Sequence, residues 1–126
     1  MLITVDLLRQ RLNNVPHGCD TYKTRKSIEV FVAEWPDGAE VTRANIWRAN
    51  ELNLDLCWFA EAFLIGEPLR IFQLRAFDAQ QRFIEAVETP WQNYLQAKGR
   101  GLRIMHLGWA TALIDAWQTQ EGHIDD

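Results

Sequence analysis

His17-Gly18-Cys19-Asp20 places an imidazole, a thiol and a carboxylate within four positions of this 126-residue chain. A cysteine nucleophile needs a base aimed at its sulfur and a further group that orients that base. Adjacent residues in a turn rarely aim their side chains at one atom, and no second cluster supplies the missing parts. Cys19 therefore reads as a small buried residue opening a helix. A zinc site could draw on His17, Cys19 and Cys57, with His106 a distant fourth ligand, but the spacings match no ribbon or finger pattern. Cys57 lies between Leu56 and Trp58, where burial explains it. The carboxylate pairs Glu85 with Glu88 and Glu61 with Glu67 read as solvated helix faces without the aromatic slot of a glycosidase. No glycine-rich phosphate-binding pattern occurs. We accordingly expect no catalytic residue, no metal site and no cofactor, and read the chain as not an enzyme.

Two basic clusters could contact phosphates: Lys23, Arg25 and Lys26, then Lys98, Arg100 and Arg103 beside Gly99 and Gly101. Basic residues at a helix end also complement the helix dipole, which needs no ligand. The formal net charge of −4 opposes bulk attraction to nucleic acid or to an anionic membrane. The acidic excess sits in the second half: residues 51–126 hold eleven acidic and six basic groups, against six and seven in residues 1–50. Glu121, Asp125 and Asp126 belong to that excess, and residues 119–126 read as a frayed tail. No stretch approaches the ~20 apolar residues that span a bilayer. MLITVDLLRQ lacks the pattern of a signal peptide. Two cysteines 38 positions apart form no disulfide framework, which points to a reducing cytoplasm.

The elements that must position these residues are helical. Thr4 can cap a first helix with Val5, Leu7, Leu8 and Leu12 on its apolar stripe. Asn13 to Gly18 is a break, and a second helix is expected from Asp20 to Glu34 with Ile28, Phe31 and Val32 inward. The alternation of Ile28, Val30 and Val32 would also suit a strand, but no convincing partner strand exists. Trp35-Pro36-Asp37-Gly38 has the chemistry of a tight turn. Thr42 caps the next helix, with Ala44, Ile46, Trp47 and Ala49 on it. Asn53 to Asp55 interrupts, Asp55 caps Leu56 to Leu64, and Gly66 is the expected stop before Pro68.

From Pro68 a long helical pattern is expected to bury Ile71, Leu74, Phe77, Ile84, Trp91 and Leu95, widened by Phe72, Phe83, Val87 and Tyr94. Pro90 either kinks this helix or ends it, with Thr89 capping a new one. Gly99-Arg100-Gly101 reads as a further break. The last helix, Leu102 to Gln118, should bury Leu102, Met105, Trp109, Leu113 and Trp117. The expected architecture is all-α: residues 1–126 as one domain, a compact bundle of five to seven helices with one long, proline-interrupted helix. Six tryptophans suit an aromatic-rich core first and a partner surface second.

Residues 35–64, WPDGAEVTRANIWRANELNLDLCWFAEAFL, carry Pro36, Gly38, Thr42, Asn45, Arg48, Ala49, Glu51, Leu54, Asp55, Trp58, Phe59 and Ala60. In this order the segment resembles one found in small phage and prophage proteins, where it precedes a long helix punctuated by prolines. The likeness covers about half the chain, and the final helix departs from it. It implies no activity, only a context: an accessory protein in a bacterial host cytoplasm. On that footing we expect a non-enzymatic protein that binds a host protein or ribonucleoprotein complex, an anti-defence inhibitor of anti-CRISPR type being the concrete form. Trp91, Tyr94, Lys98 and Arg100, around the Pro90 break, are the expected contact residues. The alternative is a small helical nucleic-acid-binding module using both basic clusters.

Overall fold

Three side-chain caps set where helices begin. Thr4 Oγ1 accepts from Leu7 N at 3.1 Å and opens α1 (Val5–Asn13). Thr42 Oγ1 accepts from Asn45 N at 3.1 Å and opens α3 (Arg43–Glu51). Asp55 Oδ1 accepts from Trp58 N at 3.0 Å and opens α4 (Leu56–Phe63). Each satisfies a first-turn N–H that the helix itself leaves without a partner. The remaining helices are α2 (Thr21–Glu34), α5 (Gly66–Val87) and α6 (Tyr94–Glu121). The computed structural model describes residues 1–15, 21–36, 38–87 and 94–126, with side chains placed except at 21–27, 86–87 and 94–97. Six helices among the described residues make the fold the expected all-α bundle. Pro90 and Thr89 lie outside the described residues.

Between α3 and α4 the chain stops one helix and starts the next within four residues. Asn53 adopts φ +60°, its N–H donates to Asn50 O, and Leu54 N–H donates to Ala49 O, both at 3.0 Å. This paired C-terminal arrangement uses the tolerance of asparagine for the left-handed region and buries Leu54 against the end of the helix. Leu64 leaves α4 in extended conformation. Gly66, expected to stop that helix, instead opens α5 at φ +61° with Pro68 in its first turn.

The core centres on Phe59. Its ring stacks on Phe63 at 4.6 Å, Trp35 at 5.4 Å and Phe31 at 6.2 Å, and tilts against Trp117 at 6.2 Å. Phe31 also meets Trp58 edge-on at 5.9 Å. Rings from α2, α4 and α6 are thus joined through one side chain. From α1, Leu8 and Leu12 are fully buried beside them. Residues 28, 31 and 35, three and four apart, put the inner face of α2 on this cluster. That settles the ambiguous stretch Ser27–Val32 as helix. Trp35, Trp58 and Trp117 are buried, and Trp47 and Trp109 are half-buried against the core. Trp91 lies outside the described residues.

Two features escape the periodicity reading. Leu2–Ile3 (β1) pairs antiparallel with Ala39–Glu40 (β2), and Gly38, at φ +72°, donates its N–H to Ile3 O at 3.0 Å. Two-residue strands carry no alternation to detect. The end of the chain, expected to fray, is instead tied down. Ile124 is buried, Arg43 N and Ala44 N donate to Asp125 O and Asp126 O, and Arg43 Nη1 reaches Ile124 O at 3.0 Å and Asp126 Oδ1 at 3.2 Å. The free N–H groups at the start of α3 and the arginine that follows Thr42 capture the terminal segment. Gln120 clamps the α4–α5 turn in the same region, donating to Phe63 O at 2.9 Å and accepting from Ile65 N at 2.8 Å.

The buried indoles differ in polarity. Trp58 Nε1 donates to Val15 O at 3.0 Å, whereas Trp35 Nε1 is buried without a hydrogen-bond partner. Trp→Phe removes similar ring area at both sites, but only at Trp58 does it strand an acceptor. We expect Trp58→Phe to destabilise the protein by about 1–2 kcal/mol more than Trp35→Phe in urea unfolding. Equal losses would show that the Trp58 bond contributes nothing.

Candidate functional site

The most extensive helix pairing among the described residues is that of α5 with α6, and small residues lie at the middle of its seam. Phe72, Ala76, Ala79 and Phe83 recur four, seven and eleven positions apart on α5. Gly101, Met105, Gly108 and Ala112 do the same on α6. This spacing stays within about 40° on a helix turning ~100° per residue. At Gly108 an added Cβ would lie 3.1 Å from Ala79 Cβ, so the helices meet there almost backbone to backbone. α6 runs unbroken through Gly99-Arg100-Gly101, where a break was expected. Gly101 is buried, where packing can offset the ~1 kcal/mol helix penalty of a glycine, whereas Gly99 is exposed.

A seam of small residues pushes the large apolar ones outward. Ile71, Leu74, Phe77 and Ile84, expected in the core, are exposed, with Leu74 at 57% and Phe77 at 61%. Steps of three residues lag a 3.6-residue turn by about 60° each, so Ile71, Leu74 and Phe77 walk around α5 rather than sharing a face. On α6, Ile104 at 53% and Leu107 at 48% are exposed as well. The inward phase is carried in the sequence by Phe72, Ala76, Ala79 and Phe83, whose two alanines add little to a hydrophobic pattern.

Two depressions flank the seam. One, of about 390 Å³, is lined by Leu74, Arg75, Asp78, Arg82, Ile104 and Gly108. Its charges are paired: Arg75 Nη1 with Asp115 Oδ2 at 2.6 Å across the hairpin, and Arg82 Nη2 with Asp78 Oδ2 at 3.1 Å along α5. Both pairs are exposed and contribute at most about 1 kcal/mol each. The other depression, of about 580 Å³, lies between α4, α5 and α6. Its apolar wall is Phe72, Ala76, Phe83, Met105 and Trp109, and Asp55, Cys57 and Glu61 from α4 and its cap form the opposite side. Trp109 Nε1 is buried there without a hydrogen-bond partner, and its ring lies 5.3 Å from that of His106.

Cys57, the thiol in this depression, is held protonated. Burial is the larger cause, and the nearby charges of Asp55 and Glu61 add to it, pushing the thiol far above its ordinary value. A thiol so placed is a poor nucleophile. No three His, Cys, Asp or Glu residues cluster as metal ligands among the described residues. His17, Cys19 and Asp20 lie outside them, as does Trp91. For Tyr94 only the backbone, the start of α6, is described. Lys98, Arg100 and Arg103 are exposed on α6. Two positions on a helix differ by about 200°, so Lys98 and Arg100 leave it on different sides and do not form one patch. The side chains of Lys23, Arg25 and Lys26 fall outside the described set. Among the described residues no helix is long and apolar enough to cross a membrane.

Compared with the profiles of known families, with curated proteins and with solved structures, the chain matches none.

The environment of Cys57 has a direct readout. In peptide-resolved alkylation at pH 8, Cys57 of the folded protein should react at least about tenfold more slowly than in the urea-unfolded chain. Equal rates would mean that the thiol is neither buried nor under the two carboxylates.

Proposed function

We propose that the protein is a non-enzymatic interaction protein that docks on another macromolecule through the exposed faces of its α5–α6 hairpin. One observation carries this reading. Of the ten large hydrophobic residues exposed among the described side chains, six lie on these two helices: Ile71, Leu74, Phe77, Ile84, Ile104 and Leu107. Scattered apolar residues on a surface need no explanation, but concentration along one hairpin marks an interaction surface. Its charges are already paired within the chain at Arg75 and Arg82, which favours shape and apolar burial over a phosphate backbone as the basis of recognition.

The resemblance of residues 35–64 to small phage and prophage proteins supplies only the context for this reading. We place the protein in a bacterial host cytoplasm and its partner in a host protein or ribonucleoprotein complex, with inhibition of a defence complex, as by an anti-CRISPR, as the concrete form. An acidic surface suits such a role, because carboxylates can occupy a site built for phosphate. The segment that carries the likeness acts here as scaffold, its caps and aromatic residues supporting the hairpin from below. A second reading, nucleic-acid binding, draws on the exposed Lys98, Arg100 and Arg103.

The readings separate in a capture experiment. The full chain, immobilised and exposed to lysates of several bacteria, should retain a saturable partner. Leu74→Asp with Ile104→Asp, two exposed positions, should abolish retention while leaving the thermal unfolding curve in place. Retention unchanged by both substitutions, or no partner from any lysate, would overturn the proposal. If nucleic acid is the ligand instead, gel shifts appear at low salt, and Arg100→Ala lowers the slope of log affinity against log salt by about one.

A further inference from the structure

We propose that the groove between α4, α5 and α6 docks a basic amphipathic helix, its apolar face on Phe72, Ala76, Phe83 and Met105 and its lysines or arginines toward Asp55 and Glu61. The inference rests on the interaction-protein reading and names the partner's chemistry on one side of the hairpin.

Shape supplies the first argument. The α5 wall runs from Phe72 to Phe83. At ~1.5 Å per residue those eleven steps span about 16 Å, or three helical turns. Along the outer lip, Gln73, Phe77 and Gln80 recur at four and seven positions. They offer one aromatic edge and two amides to an occupant lying parallel to α5. An amphipathic helix presents apolar residues at that same repeat, so it can lay one anchor per turn into the groove. A compact small molecule would fill part of the 580 Å³ and leave the length of the wall uncovered.

Charge selects the kind of helix. Among the described residues the lining includes two carboxylates and no lysine, arginine or histidine. Glu61 is exposed and forms no ion pair among the described residues. Asp55 is engaged as the cap of α4, so it contributes its charge. Both carboxylates lie close enough to act on the Cys57 thiol, so their charges add on the α4 wall. A helix with acidic flanks would meet repulsion there, and a neutral one would leave Glu61 without a counterpart. The opposite depression differs, since its arginines and aspartates neutralise one another.

The test uses fluorescence anisotropy with the full chain and three labelled 18-residue peptides: an amphipathic leucine–lysine helix, the same pattern with glutamate for lysine, and a leucine–lysine shuffle lacking an apolar face. The amphipathic lysine peptide should bind at least about tenfold more tightly than either of the others. Glu61→Lys, at an exposed position, should weaken it about tenfold with an unchanged circular dichroism spectrum. Phe77→Ser should weaken it too, and Leu74→Asp with Ile104→Asp should not. Equal binding of the lysine and glutamate peptides, equal binding of the shuffle, or insensitivity to Glu61→Lys would each overturn the proposal. If the peptides fail while a lysate partner is still captured through Leu74 and Ile104, the groove assignment falls and the interaction-protein reading stands.

Discussion

Phe59 is the side chain on which the packing of α2, α4 and α6 converges. It stacks on Phe31 and Trp35 from one side of the sequence and meets Phe63 and Trp117 from the other, with Trp58 held edge-on to Phe31. Offset and edge-on ring pairs contribute about 0.5–1.5 kcal/mol each beyond area burial, so this cluster fixes orientation as well as supplying hydrophobic stabilisation. Everything capped at Asp55 depends on it. The cap sets the start of α4, and the start of α4 sets which way Phe59 and Phe63 point. The start of α4 also puts Cys57 and Glu61 on the side away from the rings, where they become the wall of a groove.

A second constraint follows from the first. With α6 anchored through Trp117 and Leu113 to the aromatic cluster, α5 is left to cover what remains of α6. It does so through alanines and glycines, at a contact where one more carbon would sit 3.1 Å from its neighbour. Close approach at Gly108 and Ala79 maximises backbone-level contact there and leaves no room for a large side chain at that point of the seam. The large apolar residues of α5 and α6 therefore go to the flanks and the outer face. An ordinary bundle would bury them. Here Phe77 borders one depression, which carries the carboxylates of Asp55 and Glu61, and Leu74 and Ile104 border the other, where arginine–aspartate pairs balance the charge.

Much of the fold was legible because capping is local chemistry. Thr4, Thr42 and Asp55 each announce a helix within three residues of themselves, and Asn53 announces the stop between two of them. The burial of Met105, Leu113 and Trp117 followed from their three- and four-residue spacing on a single helix. What was not legible depended on partners distant in sequence. Whether glycines break α6 depends on what packs against that helix, and the close approach of Gly108 to Ala79 joins positions twenty-nine residues apart. The docked chain end depends on Arg43, some eighty positions upstream. For the site, size misled: Ile71, Leu74 and Phe77 outweigh Ala76 and Ala79 on any hydrophobicity scale, yet helical phase decides which face goes inward.

The groups with reactive potential are turned to other ends in this structure. Asp55 is spent on a helix cap, and Cys57 is kept protonated by burial and by its acidic neighbours. Arg75 and Arg82 of α5 pair with aspartates, and Arg70 pairs with Glu67. A nucleophilic thiol would need a cation or a helix N-terminus to lower its pKa. Cys57 does lie in the first turn of α4, but desolvation and two carboxylates outweigh that dipole. The carboxylates that add to burial in keeping the sulfur protonated also make the groove around it attractive to a cation. Inertness and recognition are therefore two results of one charge arrangement. Replacing Glu61 by a neutral residue should change both together, loosening the hold on the thiol proton and weakening the attraction for a basic helix.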